Sequence, residues 1–499
     1  MTTTTSSLRT HLWALFGCCL VSLGLYFPAL NAEYVLDSHY VVAQNPAVQN
    51  PQSLFELFHH TRSDTYTSSH LSVVKDYQPM LLASLAQDCK IFGCQPWGFR
   101  IVNIILHGLN AFLVYCLILF VFRKWRNAVW GALIFCMLPV NEWAVNYIAV
   151  RGDLLQTFFS LTAILLFFLY FEEKNFLHIL LSLICFIAAM LSREVAILLP
   201  LYLGILGFAY IQTHRASFIS GTKVTRMIVM YVILAGVYYV LRLKYFPISS
   251  EALLGISSAS INHWLVLVVD YNSRFFMPWM ILSWCPGFAN SLLIPLVVFT
   301  IFAIACTFVY FRHKSKPRGK QLLSGLLWLA VGSMTFFVTQ SLFNQQGPYI
   351  SEHFLYFSAV GFVIVLTALI SKKAKTVAMI IFATYCGTIL FQANQHWTTE
   401  QALLERVYTK DRDKKGAAYR QLVMKYWEYI TSVDELIAAA RDDKERSLWT
   451  QRKGNILSRE EKFEKAISIY KEAIDLDPQN TAAQIELATT YLNNGQVSA

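Results

Sequence analysis

The sequence is short of charge. Asp, Glu, Lys and Arg make up 14% of its 499 residues, against about 25% in a soluble globular domain. Hydrophobic residues reach 56% and aromatic residues 15%. So few ionic groups cannot cover a water-facing globule of this length, so a wholly soluble chain is excluded and a polytopic membrane protein is expected. The net charge of +10 then reports topology rather than nucleic-acid binding, and no nucleic acid is expected among the partners.

Other signatures are missing. No C-x-x-C or H-E-x-x-H spacing occurs, and His59, His60 and His70 have no companion at ligand spacing, so no protein-built metal cage is expected. No N-x-Ser/Thr sequon occurs, which favours a bacterial inner-membrane protein over one of the secretory pathway. Of the ten cysteines, Cys116, Cys136, Cys185, Cys306 and Cys386 lie in apolar runs and read as small hydrophobes. Cys89 and Cys94, in "QDCKIFGCQPWG", are the exception. They can pair if their loop meets an oxidising compartment. The first apolar run, "LRTHLWALFGCCLVSLGLYFPAL", lacks a small-residue cleavage site and reads as an uncleaved span.

What is present is a series of apolar windows. A span needs about 20 apolar residues. Such windows centre near residues 20, 112, 137, 162, 184, 203, 236, 301, 332, 362 and 385. Basic clusters lie at 122–126, at Lys174, at 214–226, at 311–320 and at 372–375. Two windows separate consecutive clusters, so the clusters share one side, and basic loops mark that side as cytoplasmic. The segment 261–283 breaks the parity. Asp270 and Arg274 at its middle make a lipid-facing span costly, so it is read as an amphipathic or re-entrant helix on the outer face. The expected fold class is an all-α, polytopic membrane bundle of about eleven spans, with the N-terminus cytoplasmic and the C-terminus outside.

That topology sends one set of polar residues outward. Asp37 follows the first span, and Tyr77 lies in a long first loop, 31–100. Arg151 and Asp153 stand in "VRGDLL", Arg193 and Glu194 in "SREVAILL", and Glu352 and His353 in "SEHFLYF". Their convergence at span ends on one face points to a site. His107, inside a span beside Asn103 and Asn110, reads instead as a packed core histidine.

After about residue 396 the composition turns charge-rich and helical. Gly454, Ala466, Tyr470, Ala473 and Pro478 stand at the spacings of a tetratricopeptide repeat, whose unit is about 34 residues. Ala488, Tyr491 and Gly495 restart the pattern. The expected domains are therefore a membrane domain at 1–396, a helical linker or degenerate repeat at 397–447, and about one and a half repeats at 448–499.

The order of segments now carries a resemblance. After the first span come "NAEYVLDSHYVVAQNPAVQNP", "YQPMLLASLAQDCKIFGCQPWGFRIVNIILHGLNAF", "LPVNEWAVNYIAVRGDLL", "SREVAILLPLYL" and "EHFLYFSAVGF", and then the repeats. Over nearly the whole chain this resembles the transmembrane-and-tetratricopeptide O-mannosyltransferase-like proteins of the GT-C glycosyltransferase superfamily. The resemblance implies transfer of a mannose-like sugar from a polyprenyl-phosphate donor to a hydroxyl acceptor on the exoplasmic side. The acceptor would be a protein or a glycan, and the repeats would bind it or another protein partner. The tail would lie in the periplasm, or in the endoplasmic reticulum lumen of a eukaryote. No firm cofactor is implied beyond the lipid-linked donor, and a divalent cation is left open.

By the same resemblance Asp37, the acid just after the first span, is the candidate catalytic carboxylate that orients or deprotonates the acceptor hydroxyl. The leaving phosphate needs a cation, for which Arg151 and Arg193 are the candidates, with His353 behind them. Asp153 is expected to hold Arg151, with Glu194, Glu352 and Tyr77 in support. The chain departs from the pattern in places. Ser38 replaces a second acid, whose role would pass to Glu33, Asp76 or Glu142. Trp143 stands where the family has Glu, His353 where it has Arg, Phe354 where it has Tyr, and Arg193 where it has Lys. A non-catalytic membrane scaffold that recruits partners through its repeats is the competing expectation. A transporter fits less well, because the polar residues sit at span ends.

Overall fold

The computed structural model describes residues 8–36, 38–43, 45–49, 77–214, 221–245, 269, 272–277, 293–314, 316–343, 352–369, 375–399, 402–403, 437–438, 440, 442–459 and 462–493. The chain forms two compact units, Met1–Ala418 and Tyr419–Ala499. The described residues contain helices and no strand, as lipid demands of a spanning chain whose backbone polar groups must be satisfied within each segment.

In the first unit the main helices are α1 (Leu8–Tyr26), α2 (Pro79–Phe92), α3 (Pro96–Phe122), α4 (Trp125–Met137), α5 (Arg151–Glu173) and α6 (Phe176–Ser192). They are followed by α7 (Leu199–His214), α8 (Gly221–Tyr245), α9 (Leu293–His313), α10 (Pro317–Phe343), α11 (Ser358–Leu369) and α12 (Lys375–Asn394). Each of the expected windows falls on one of these helices. Among the described residues, six helical stretches are long and apolar enough to cross a bilayer: 9–29, 96–122, 148–173, 194–212, 221–244 and 376–397. A seventh is made by α4 with residues 139–146, bent by 55°. Helix α6, residues 297–313 and α11 are apolar and shorter. The chain is a multi-pass membrane bundle.

Basic residues at the ends of α3, α5 and α10 lie at one end of the bundle. Arg123 and Lys174 cap α3 and α5 in the left-handed conformation, with φ of 55° and 53°. Arg123 pairs with Glu172 at 3.2 Å. Lys124 reaches Gln321 at 3.2 Å, and Arg318 donates to the Ala368 carbonyl at 2.7 Å and to that of Leu369. The ends of α3, α5, α10 and α11 thus share a face.

A polar knot ties the middle together. His107 Nδ1 lies 2.7 Å from the Tyr356 hydroxyl and Nε2 lies 3.2 Å from the Cys136 carbonyl. Asn110 donates to the Leu154 carbonyl at 3.0 Å. His107 is a hydrogen-bonded core residue linking α3 to α4 and the 352–357 turn, and Asn110 links α3 to α5. Asn103 has a different task, described below.

The first loop is partly folded. Residues 79–92 form α2, which buries Leu81, Leu82, Leu85, Asp88 and Cys89. It starts at Pro79 and ends at Gly93 (φ +65°), where glycine accepts the left-handed cap. Cys89 and Cys94 are disulfide-bonded, their Cα atoms 4.0 Å apart. Residues 51–76, with His59, His60, His70 and Asp76, lie outside the described residues. Of the segment 261–283, residues 269 and 272–277 are described, and Asp270 is not.

The second unit contains α13 (Asp443–Arg459), α14 (Phe463–Leu476) and α15 (Thr481–Asn493). Ala466, Tyr470 and Ala473 are buried. The Tyr470 hydroxyl donates to Asn455 at 2.7 Å, and Ser447 Oγ donates to the Ala473 carbonyl at 2.5 Å. Gly454 faces the Tyr470 ring so closely that a Cβ would fall 2.6 Å from Cε1. Gly454→Ala should therefore cost this unit about 1–3 kcal/mol. In hydrogen exchange on the intact protein, amides of residues 443–476 should exchange faster and those of the first unit should not change.

Candidate active site

Three consecutive residues, Arg151, Gly152 and Asp153, begin α5 after a 3-10 turn at Ile148–Val150. Successive helical residues project about 100° apart, so each meets a different neighbour. The sequence reading expected Asp153 to hold Arg151. The structure separates them.

Arg151 turns toward α2 and α3 and is buried. Its Nη1 lies 2.6 Å from Asp88 Oδ2. Its Nε donates to Asn103 Oδ1 at 2.6 Å and its Nη2 to the Phe99 carbonyl at 2.9 Å. Burial pushes the Asp88 carboxyl above its ordinary range, and the Arg151 charge opposes that rise. Sequence reasoning missed Asp88. The signal was available: Leu81, Leu85 and Asp88 follow the i, i+4, i+7 spacing of one buried helix face, and a carboxylate on such a face needs a cation.

Gly152 makes room for the end of α6. A Cβ there would sit 2.7 Å from the Ser192 carbonyl oxygen and 3.1 Å from Gln78 Oε1.

Asp153 turns the other way. Its Oδ1 lies 3.0 Å from Arg193 Nε, and its Oδ2 lies 2.7 Å from His353 Nδ1. The nitrogen facing the carboxylate carries the proton, which leaves Nε2 as the acceptor of the neutral ring. Arg193 Nη2 lies 3.4 Å from the same His353 nitrogen, and the guanidinium carbon lies 5.0 Å from the Phe354 ring centroid. Arg193 is in extended conformation (φ −159°, ψ 129°) between α6 and the 3-10 turn Glu194–Leu198. That break in the helix directs its side chain inward. A small pocket beside the cluster is lined by Asp153, Gln156, Val195, Tyr202, His353, Phe354 and Phe357.

The remaining expected residues surround this centre. Glu194 pairs with Arg242 of α8, not with its neighbour Arg193. Glu352 pairs with Arg274, both buried. This explains how the 261–283 segment keeps a cation in an apolar bundle. Tyr77 is half-buried, which pushes its hydroxyl up, and nearby Arg242 pulls it down. The structure thus brings Arg193, Asp153 and His353 into one cluster, with Glu194 and Glu352 on its flanks, and gives Arg151 a separate partner.

Asp37 lies outside the described residues. Its neighbours are described: Leu36 is left-handed, with φ +53°, and Ser38 N–H bonds the Val35 carbonyl at 3.1 Å. Of the substitutes for the second acid, Glu142 is buried and accepts from Trp397 Nε1 at 2.5 Å. Glu33 is exposed. Among the described residues no group of three or more His, Cys, Asp and Glu is placed to hold a metal ion.

Glu352→Ala would remove the carboxylate that faces the buried Arg274 guanidinium, at about 3–5 kcal/mol. A thermal melt should show that loss. Glu352→Leu combined with Arg274→Met should recover most of it.

The comparisons with known proteins agree with this architecture. A tetratricopeptide repeat model matches residues 457–499. A protein O-mannosyl-transferase of Caenorhabditis elegans is 25% identical over 415 residues, 77% of this chain and 56% of that protein. Protein O-mannosyl-transferase TMTC4 of Mus musculus is 23% identical over 460 residues, covering 78% and 61%. TMTC4 of Homo sapiens is 27% identical over 210 residues, covering 38% and 28%. The chain spans about six-tenths of the length of the first two relatives. No solved structure matches. In its membrane bundle, its repeat tail and some 77–78% of its length, the chain is similar to the transmembrane-and-tetratricopeptide O-mannosyltransferase-like proteins.

Proposed function

We propose that the protein is a membrane glycosyltransferase that moves mannose from a polyprenyl-phosphate donor to a hydroxyl of a protein acceptor. The observation that carries this reading is the buried Arg193–Asp153–His353 cluster, in a chain whose relatives are named protein O-mannosyl-transferases. Asp153 occupies the Nε edge of Arg193, so the Nη edge is the one that meets a phosphate oxygen. His353 Nε2, once protonated, adds a second donor.

The reaction is a single displacement. The acceptor oxygen attacks the anomeric carbon, and the bond from that carbon to the phosphate oxygen breaks. The phosphate leaves with the electron pair, and Asp37 takes the hydroxyl proton. The donor phosphate is paired with Arg193 and His353. Arg151, engaged by Asp88, Asn103 and the Phe99 carbonyl, acts as an organiser that holds α2 against α3 and α5. Glu194, Glu352 and Tyr77 support the cluster through Arg242 and Arg274.

The site faces the exoplasmic side in this reading. The Cys89–Cys94 disulfide suits an oxidising compartment, and the basic end of the bundle suits the cytoplasm. That compartment is the periplasm of a bacterium or the endoplasmic reticulum lumen of a eukaryote. The membrane domain corresponds to residues 1–396, 397–447 link it to the tail, and the repeats at 448–499 hold the acceptor protein.

The test is transfer of radiolabelled mannose from polyprenyl-phosphate-mannose by the intact protein in membranes. Asp37→Asn should lower kcat by about 100-fold to 10,000-fold, and Arg193→Ala by about 100-fold or more. Full activity in both variants, or none in the wild type, would sink the reading and favour a scaffold.

A further inference from the structure

The segment that leaves α1 and leads to residue 37 has no regular structure of its own at residues 32–35. It is nevertheless tied down along its length. The carbonyls of Ala32 and Glu33 both accept from the Arg100 guanidinium. The Glu33 N–H donates to the Thr398 carbonyl at 3.1 Å. The Tyr34 hydroxyl donates to the Cys94 carbonyl, and its ring lies 6.2 Å from that of Phe99. Burial pushes this hydroxyl up to about 12, so it remains a donor at neutral pH.

The Cys94 carbonyl is aimed by an unusual backbone. Gly93 and Cys94 are both left-handed, at φ +65° and +56°, and the second of these is costly for a residue with a Cβ. The bridge to Cys89 holds that conformation against the last turn of α2. It joins residues five apart, and so short a loop restrains the unfolded chain little. Its effect is local. On its other side Cys89 follows Asp88, the partner of Arg151.

We propose that the Cys89–Cys94 bridge and Tyr34 form a clasp that positions the segment carrying Asp37, with Arg100 as its second anchor. The proposal rests on the reading of Asp37 as the acceptor-facing carboxylate. Tyr34 and the two cysteines touch no reacting atom in it. They are positioning residues, and one covalent bond fixes both the Asp37 segment and the α2 helix that holds Arg151.

The test uses the intact protein with two variants, Cys89→Ser/Cys94→Ser and the milder Tyr34→Phe. Amide exchange at residues 32–36 should speed up by about tenfold or more in both, a local opening without global unfolding. In mannosyl transfer kcat should fall about tenfold to a hundredfold, because small misplacements of a reacting group are that costly. KM for the lipid donor should not change, because the phosphate site is built elsewhere. Unchanged exchange at 32–36 in both variants overturns the clasp. So does faster exchange with an unaltered kcat. If the wild type transfers no mannose, the reading of Asp37 falls, and exchange at 32–36 alone decides whether the clasp exists.

Discussion

A carboxylate inside an apolar bundle must find partners for its charge, and Asp153 finds two, one of them the Arg193 cation. Its oxygens are divided between Arg193 and His353, which come from the α6–α7 junction and the 352–355 turn. Neither partner could be buried alone without a large desolvation penalty. The three therefore determine where α5, α6 and the turn before α11 meet. The same rule repeats around them in Asp88–Arg151, Glu194–Arg242 and Glu352–Arg274. Each pair joins segments far apart in sequence, so neutralising charge and assembling this end of the bundle are one event. A centre built in this way has cations fixed in place before any ligand arrives.

The opposite end obeys softer constraints. The Arg123–Glu172 pair there is largely exposed, and such pairs contribute little. Arg318 satisfies the last carbonyls of α11, a capping task that any helix end presents. The two faces of the protein thus differ in how tightly their charges are held. The buried face is specific, and the basic face mainly records orientation.

Much of the fold was legible in the sequence, because hydropathy is a sum over many residues and survives local error. The helices fall where the apolar windows predict them, and Gly454, Ala466, Tyr470 and Ala473 pack in the second unit as their spacing implies. The polar residues at span ends were also legible as a group. Their pairing was not. Arg151 and Asp153 are two residues apart, and proximity in the chain suggested contact. On a helix that separation is about 200° of rotation, and the true partners, Asp88 and Arg193, lie 63 and 40 positions away along the chain. Nothing local in the sequence marks Arg100 as a donor to the Ala32 and Glu33 carbonyls.

The start of α5 has a consequence for how this chain can vary. Arg151, Gly152 and Asp153 serve three different neighbours from three adjacent positions: a cation for α2, a gap for the Ser192 carbonyl, and an anion for Arg193 and His353. The three roles are locked into one register. One residue gained or lost in the Ile148–Val150 turn would rotate α5 by about 100°, and every role would pass to the wrong side chain at once. Substitutions can be absorbed one at a time along this bundle, but here length itself is constrained.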